Sequence, residues 1–365
     1  MIYLDHGATS FPKLPQVRQA VLKAMERCAN PGRGGYPAAM EAAQKVFECR
    51  EAAAQLFDCQ PEQVVLTSSC THGLNIAIRS LLRPGDGVVI SGFEHNAVTR
   101  PLRGLGAQIT VAGRRLFDWE DTLRDFKTAL RRKPRAAVVT HVSNVFGYEL
   151  PLEQIAQLCR ENAVPLIVDA AQSAGARSIS LRRLGAAFIA MPGHKGLQGP
   201  QGTGLLLCGD QAEPLLFGGT GSDSIRQEMP DYLPDRLEAG TVNVPGIAGL
   251  TAGLRYVQTQ NADQIGYREA ALAAYGAREL EKLGMQVFYG PHAGAVVSFV
   301  PPMDCEELAM KLAGRGVAVR AGLHCAPLAH ESAGTLETGT VRVSVGCRTQ
   351  PWQIRELIKE MAALS

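Results

Sequence analysis

Between residues 64 and 190, short apolar runs alternate with stretches of helical character, and this alternation constrains the fold more than any other feature. Apolar runs with little polar interruption are typical of strands that are covered on both faces. The runs lie at 64–67, 88–91, 108–111, 136–140, 166–168 and 187–190. The pattern predicts an α/β fold with a mainly parallel sheet, in which ligands bind at the carboxyl ends of the strands.

A chain of 365 residues is long enough for two domains. We predict a large domain over 15–255 and a smaller α+β domain made of 1–14 and 256–365. The net charge of +2, from 37 basic and 35 acidic residues, gives no sign of nucleic-acid or membrane-surface binding. No long apolar run is present and the N-terminus lacks a signal-peptide pattern, so we expect a cytoplasmic protein.

The nine cysteines are scattered, odd in number and without a Cys-x-x-Cys pair. This usage argues against a disulfide framework and against a structural zinc site. Most of them are expected to be small, buried apolar residues. Cys325 has a different context, because it follows His324 in a glycine-containing stretch. A basic neighbourhood of this kind can lower the pKa of a thiol and make it a nucleophile.

Polar residues follow several of the predicted strands directly. The turn 67–71 is rich in hydroxyl groups and opens a helix, which suits either phosphate binding or simple N-capping. His95 and Asn144 come after the next strands along the chain, and Asp169 ends another. Each residue alone has an ordinary structural explanation, but together they predict a ligand site at one edge of the sheet.

Lys195 lies in the segment 191–204, between the last apolar run and a further predicted strand at 205–207. A lone lysine in a loop is most often a solvated surface residue. Here it stands among glycines, which allow the backbone to approach a ligand closely. A lysine in a confined site can form a Schiff base with an aldehyde, so Lys195 is a candidate nucleophile.

Nine motifs carry a resemblance that extends over nearly the whole chain. They are Tyr3-Leu4-Asp5, Thr71-His72-Gly73-Leu74-Asn75, Glu94-His95-Asn96-Ala97, His141-Val142-Ser143-Asn144, Val168-Asp169-Ala170-Ala171-Gln172, Gly193-His194-Lys195, Glu238-Ala239-Gly240-Thr241, Arg320-Ala321-Gly322-Leu323-His324-Cys325-Ala326 and Val341-Arg342-Val343-Ser344. The chain thereby resembles the class V aminotransferase family, in its cysteine desulfurase and selenocysteine lyase branch. This resemblance implies the PLP-dependent fold type I, with a seven-stranded, mainly parallel sheet flanked by helices, and pyridoxal 5'-phosphate as the cofactor.

The resemblance also implies roles around the cofactor ring. Lys195 would hold the cofactor as a Schiff base and later remove the α-proton of the substrate. Asp169 would pair with the pyridine nitrogen, because a carboxylate keeps that nitrogen protonated and the ring an electron sink. His95 would stack on the ring and carry protons, and Gln172 would bond the phenolic oxygen.

The phosphate would be bound by Cys70, Thr71 and His194 of one subunit. By the same resemblance, Thr241 of the partner subunit would join them. This arrangement implies a homodimer with shared active sites.

Substrate binding is assigned to Asn144 and Arg342, with Arg342 gripping the carboxylate at two points and Arg320 nearby. Cys325 would attack the sulfur of L-cysteine and become a persulfide, so that alanine is released. Arg342 lies only 17 positions after Cys325, which resembles the group with a short, ordered cysteine loop. By the same resemblance, a sulfur-accepting partner protein would be needed for fast turnover.

Two positions depart from the family pattern, and three alternative functions stay open. Pro192 stands where relatives often carry a serine for the phosphate, and His72 stands where an acidic residue is usual. Selenocysteine lyase activity needs the same residues, since selenium leaves more readily than sulfur. Transamination with a keto acid needs no thiol, so Cys325 argues against it. A non-catalytic sulfur-delivery scaffold would not need Lys195.

Overall fold

The computed structural model describes residues 1–32 and 34–364. Its strands in chain order are β1 (Ile2–Tyr3), β2 (Val64–Thr67), β3 (Gly87–Ser91), β4 (Gln108–Ala112), β5 (Ala136–Thr140), β6 (Leu166–Asp169), β7 (Phe188–Pro192), β8 (Gly204–Cys208), β9 (Gln286–Phe288), β10 (Val296–Val300), β11 (Val317–Ala318), β12 (Arg320–Gly322) and β13 (Thr340–Ser344). Its α-helices are α1 (Pro15–Arg27), α2 (Pro37–Phe57), α3 (Cys70–Leu81), α4 (Asn96–Leu105), α5 (Trp119–Leu130), α6 (Leu152–Glu161), α7 (Leu181–Leu184), α8 (Val244–Gln260), α9 (Ala262–Lys282), α10 (Cys305–Gly314), α11 (Pro327–Ala333) and α12 (Pro351–Ala362).

The central sheet has seven strands in the order β2-β8-β7-β6-β5-β3-β4. β8 is antiparallel to both of its neighbours, and the other neighbouring pairs are parallel. Helices cover both faces of this sheet, and the apolar side chains of successive strand residues enter cores on opposite faces. The predicted α/β fold with a mainly parallel sheet is therefore confirmed.

Alternation along β6 explains why its residues are all apolar up to the last one. Val168 packs into the core on one face and Ile167 into the core on the other. The same division separates Val139 from Val138 on β5. Since both faces are buried, no position before Asp169 in β6 is left for a polar residue.

Two smaller sheets lie outside the seven-stranded one. An antiparallel sheet has the order β12-β13-β10-β9, and β1 pairs in parallel with β11. α8 begins at Val244 with Pro245 in its first turn, where proline is tolerated because the missing N–H would have no partner within the helix. The domain division stays a prediction, and its boundary after residue 255 falls inside α8.

None of the helices in the described part of the chain has the length and apolar character that a membrane crossing requires.

Candidate active site

Lys195 lies in the connection between β7 and β8, the antiparallel pair of the central sheet. The connection is folded on itself, because Gly193 donates to the carbonyl of Thr203 at 2.8 Å and accepts from the N–H of Gly199 at 2.7 Å. Lys195 is partly buried as a residue, and its amine makes no hydrogen bond within residues 1–32 and 34–364. Burial lowers the pKa of Lys195, although the charge of Asp169 opposes this shift.

Asp169 ends β6 and points toward the same edge of the sheet. Its Oδ1 accepts from the N–H of Ala171 at 2.9 Å and from the thiol of Cys70 at 3.4 Å. The side chain of Cys70 is therefore committed to Asp169. A phosphate contact by Cys70 would have to use its backbone N–H, which narrows the role that we expect for this residue.

The turn before α3 has two free backbone donors. Ser69 caps the helix through its hydroxyl, which accepts from the N–H of His72 at 3.2 Å. The N–H groups of Cys70 and Thr71 have no acceptor among the residues that the structure describes. They lie at the positive end of a twelve-residue helix and are suited to an anion.

The departure at His72 has a structural explanation in this turn. Its ring Nδ1 accepts from the N–H of Ser68 at 3.4 Å and lies 3.3 Å from the Ser68 hydroxyl. A neutral imidazole thus supplies the acceptor that a carboxylate would supply at this position. Burial lowers the pKa of His72, which favours this neutral form.

His95 occupies the N-cap of α4. Its Nδ1 accepts from the N–H of Ala97 at 3.0 Å, so the proton of the neutral ring is on Nε2. Burial lowers the pKa of His95, opposed by the charge of Asp169 and reinforced by that of Lys195. The three side chains therefore lie within electrostatic reach of one another.

Glu94 was not singled out by the sequence, yet it is fully buried next to His95. Its Oε1 accepts from the hydroxyl of Ser91 and from the N–H of Thr140 at 2.8 Å, which ties the ends of β3 and β5 together. Burial raises the pKa of Glu94 to about 8. The sequence contains Glu94 in the motif Glu94-His95, but it does not reveal that residue 94 is buried. The link between β3 and β5 could therefore not be predicted.

The loop around Cys325 is held by two hydrogen bonds to its backbone. The N–H of Asn96 donates to the carbonyl of Cys325, and the side-chain amide of Asn144 donates to the carbonyl of His324, both at 2.8 Å. His324 and Cys325 both adopt positive φ, at 49° and 57°. Among the nine cysteines, all of them in the described ranges, only Cys325 is exposed.

The basic neighbourhood that we expect for Cys325 does not come from a charged His324. His324 is buried, and its Nε2 lies 3.1 Å from the carbonyl and from the hydroxyl of Thr340. Burial, together with the charge of Arg342, lowers the pKa of His324 to about 2. The ring is therefore neutral and turned inward. The cation whose charge interacts with Cys325 is Arg320.

Arg342 is 2% exposed and lies on β13. Its Nη1 donates to the backbone carbonyl of Asn144 at 3.0 Å, and its Nη2 donates to Asp5 at 2.8 Å. The Nε of Arg342 and the Oδ1 of Asn144 are buried without a partner in the part of the chain that the structure describes. An unpaired donor and an unpaired acceptor thus lie on neighbouring side chains.

The other predicted site residues differ in their surroundings. Gln172 donates to the carbonyl of Gly7 at 3.0 Å, and Nδ1 of His194 lies 3.0 Å from the hydroxyl of Thr9. Burial lowers the pKa of His194 to about 4, so the ring is neutral at pH 7. Thr241 is exposed on the surface of the chain.

The N-terminal segment 5–13 is the part of the site that sequence reasoning missed. It contacts Arg342 through Asp5, Gln172 through Gly7 and His194 through Thr9. The motif at residues 3–5 marked the segment but indicated no contact. No group of metal-binding side chains is present in residues 1–32 and 34–364.

The charges of Lys195 and of the strand-end carboxylate Asp169 interact at one edge of a mainly parallel sheet. The family model of aminotransferase class-V matches residues 2–357, so the chain belongs to that family. A probable cysteine desulfurase of Methanothermobacter thermautotrophicus is 32% identical over 389 aligned residues, which cover 100% of this chain and 95% of that protein.

Further relatives carry the same description. A cysteine desulfurase of Escherichia coli O157:H7 is 31% identical, over 89% of this chain and 84% of that protein. The apo structure of the cysteine desulfurase of Thermococcus onnurineus NA1 is similar with a TM-score of 0.91 and 28% identity. That similarity covers 100% of this chain and 94% of the other.

Proposed function

We propose that this protein is a PLP-dependent cysteine desulfurase, which converts L-cysteine to L-alanine and carries the sulfur as a persulfide on Cys325. The observation that carries the proposal is the 2.8 Å hydrogen bond from Asn96 to the carbonyl of Cys325. This bond holds the exposed thiol loop on the residue that directly follows His95. The charge of Lys195 also acts on His95, which supports a single site that contains both the nucleophile and the lysine.

The residues fit pyridoxal 5'-phosphate. The free N–H groups of Cys70 and Thr71 suit its phosphate, and Asp169 suits its pyridine nitrogen. The unpaired Oδ1 of Asn144 suits an N–H or O–H of the cofactor or of the substrate. Lys195, whose pKa is lowered by burial, suits the aldehyde. Pro192 ends β7 and offers no hydroxyl, so the phosphate would be bound by the helix terminus together with His194 and Thr241 of the partner subunit.

Proton removal is the first step that these residues support. The cofactor, when bound, supplies an electron sink for the electrons that the α-proton leaves behind. Lys195 accepts that proton, because its lowered pKa leaves more of the amine neutral at a given pH. Arg342 holds the substrate carboxylate with its unpaired Nε as one of the donors, which removes the cost of a buried, unsatisfied donor.

Sulfur transfer is the second step. The thiolate of Cys325 attacks the substrate sulfur, so an S–S bond forms and the Cβ–S bond of the substrate breaks. The electron pair of the broken bond stays with the three-carbon fragment, which takes up a proton and leaves as alanine. The proton comes from the Lys195 ammonium that forms in the first step, and His95 stays the proton carrier that the resemblance implies. The net change is one sulfur atom moved from cysteine to Cys325.

A homodimer and a sulfur acceptor are part of the proposal. Large apolar side chains are exposed on α1 and α2, including Leu22, Met25 and Met40, each more than half exposed. Exposed apolar side chains of this kind support a subunit interface, and the exposure of Thr241 is compatible with a contact to the partner's cofactor. The exposure of Cys325 supports transfer of the sulfur to an acceptor protein.

The test is a paired assay of L-cysteine and L-selenocysteine in which alanine, sulfide and selenide are quantified. Cys325→Ala should lower alanine release from cysteine at least about a hundredfold, or about 2.7 kcal/mol of transition-state stabilisation. Cys28→Ala, at a partly exposed cysteine, is the matched control and should behave as wild type. Undiminished alanine release by Cys325→Ala contradicts the proposal.

The same assay separates the alternatives. Turnover of selenocysteine far above that of cysteine would indicate a selenocysteine lyase. Full turnover with a keto acid as amino acceptor would indicate a transaminase. Absence of an absorbance band near about 420 nm after incubation with the cofactor would indicate a scaffold without catalysis.

A further inference from the structure

Two arginines face each other across neighbouring strands beside the candidate site. Arg320 on β12 is the direct cross-strand partner of Arg342 on β13. Like charges at directly opposed positions destabilise a sheet unless a counter-charge lies between them. The pair therefore calls for an anion.

Asp5 supplies that anion from a distant part of the chain. Its Oδ1 accepts from Nη2 of Arg342 at 2.8 Å, and its Oδ2 accepts from Nη2 of Arg320 at 2.8 Å and from Nε of Arg320 at 3.1 Å. Asp5 is 7% exposed. The three groups carry a sum of one positive charge, from two guanidinium groups and one carboxylate.

The remaining positive charge faces a ligand. Arg342 is 2% exposed, and its Nε has no acceptor among the described residues. The proposed function requires that a substrate whose carboxylate binds this donor has its sulfur within reach of Cys325. Arg320 interacts electrostatically with Cys325, so the cluster of Asp5 and Arg320 also borders the position of the side chain.

We propose that Asp5 sets the net charge of the corner formed by Asp5, Arg320 and Arg342, and that this charge determines which substrate side chains the site accepts. With Asp5 ionised, one net positive charge accepts a substrate with a single carboxylate, and a side chain that carries a second negative charge is disfavoured by the Asp5 carboxylate. The inference rests on the proposed function in so far as Arg342 receives a substrate carboxylate. Asp5 is a positioning and specificity residue, and it takes no part in the bond changes.

The test compares the binding of propionate and succinate to the cofactor-loaded protein by ligand-observed NMR titration. Neither probe carries an amine, so the comparison reads charge and not cofactor chemistry. Asp5→Asn raises the net charge of the corner to +2, and should increase the affinity for succinate relative to propionate about tenfold or more. Arg320→Gln lowers the net charge to zero, and should shift the same ratio in the opposite direction.

The double variant Asp5→Asn/Arg320→Gln restores one net positive charge and should return the ratio to within about threefold of wild type. A merely structural role for Asp5 would not produce this return. Asp58→Asn removes a surface carboxylate paired with Arg182 and is the control, with an unchanged ratio expected.

An unchanged ratio in folded Asp5→Asn overturns the proposal. If Asp5→Asn does not fold, Arg320→Gln decides alone, and an unchanged ratio in that variant also overturns it. Failure of the desulfurase assignment would appear separately, as absence of alanine release from L-cysteine by the wild-type protein.

Discussion

The ion pair between Arg50 and Glu238 supports a quantitative prediction. Arg50 on α2 donates to both oxygens of Glu238, at 2.8 and 2.6 Å, and Oε1 of Glu238 also accepts from the N–H of Leu66 at 2.6 Å. The two side chains are only 11% and 8% exposed. The pair joins the segment before Thr241 to β2, at the edge of the central sheet.

Glu238→Gln keeps the shape of the side chain but removes its charge, so the guanidinium of Arg50 stays buried without a counter-ion. Breaking one side of a buried pair costs about 3–5 kcal/mol. We expect about 3 kcal/mol, because Arg50 retains its hydrogen bond to the carbonyl of Val64. An unfolding entropy of about 2.1 cal/mol/K per residue converts this loss into a fall in Tm of about 4 °C for a chain that unfolds as one unit.

The assay is thermal unfolding of the wild type, Glu238→Gln and the double variant Arg50→Met/Glu238→Leu. The double variant should recover more than half of the lost stability, since a well-packed apolar pair replaces a buried ion pair at little cost. A Tm of Glu238→Gln within about 1 °C of wild type would refute the reasoning, as would a double variant less stable than the single one.

Three further changes test other parts of the structure. Asn144→Ala removes one of the two hydrogen bonds to the loop at 324–325, at a cost of about 1 kcal/mol. Amide exchange over residues 323–326 should therefore accelerate about fivefold, and unchanged exchange would show that this bond does not hold the loop. Burial raises the pKa of Glu269 to about 8 from 4.5, so its stabilising contribution is complete below pH 4.5 and is lost as the pH rises through 8. Glu269→Gln should therefore raise Tm at pH 9 and change it little at pH 5. An equal change in Tm at both pH values would contradict the raised pKa of Glu269. Gly204→Ala places a Cβ 2.7 Å from the main chain of the turn before α3 and should weaken cofactor binding at least about tenfold in a fluorescence titration, whereas Gly104→Ala, with open space around it, should not.

The central sheet was predictable because both of its faces are covered. Burial on both faces leaves few polar residues in a strand, so the runs at 136–140 and 166–168 are visible in the sequence itself. The strand-end position of Asp169 and the loop position of Lys195 follow from that pattern. Once the strands are assigned, both residues fall at the same edge of the sheet.

The contacts of Asp5 and His324 could not be predicted in this way. Asp5 bonds Arg342 across 337 residues of sequence, and no periodicity encodes a side-chain contact over such a separation. The inward turn of His324 depends on its own positive φ of 49°, a backbone state that the residue type does not reveal. The hydrogen bond from the thiol of Cys70 to Asp169 was likewise not predictable, because the sequence indicated only a phosphate contact for this residue.

Both anchors of the loop at 324–325 attach to carbonyl oxygens, which every amino acid possesses. The side chain at 325 therefore takes no part in these two anchoring hydrogen bonds. Replacing Cys325 by selenocysteine, or by a noncanonical residue that bears a photoreactive group, should leave the anchoring intact. The position thus offers a ready attachment point for chemical probes that capture whatever protein collects the sulfur.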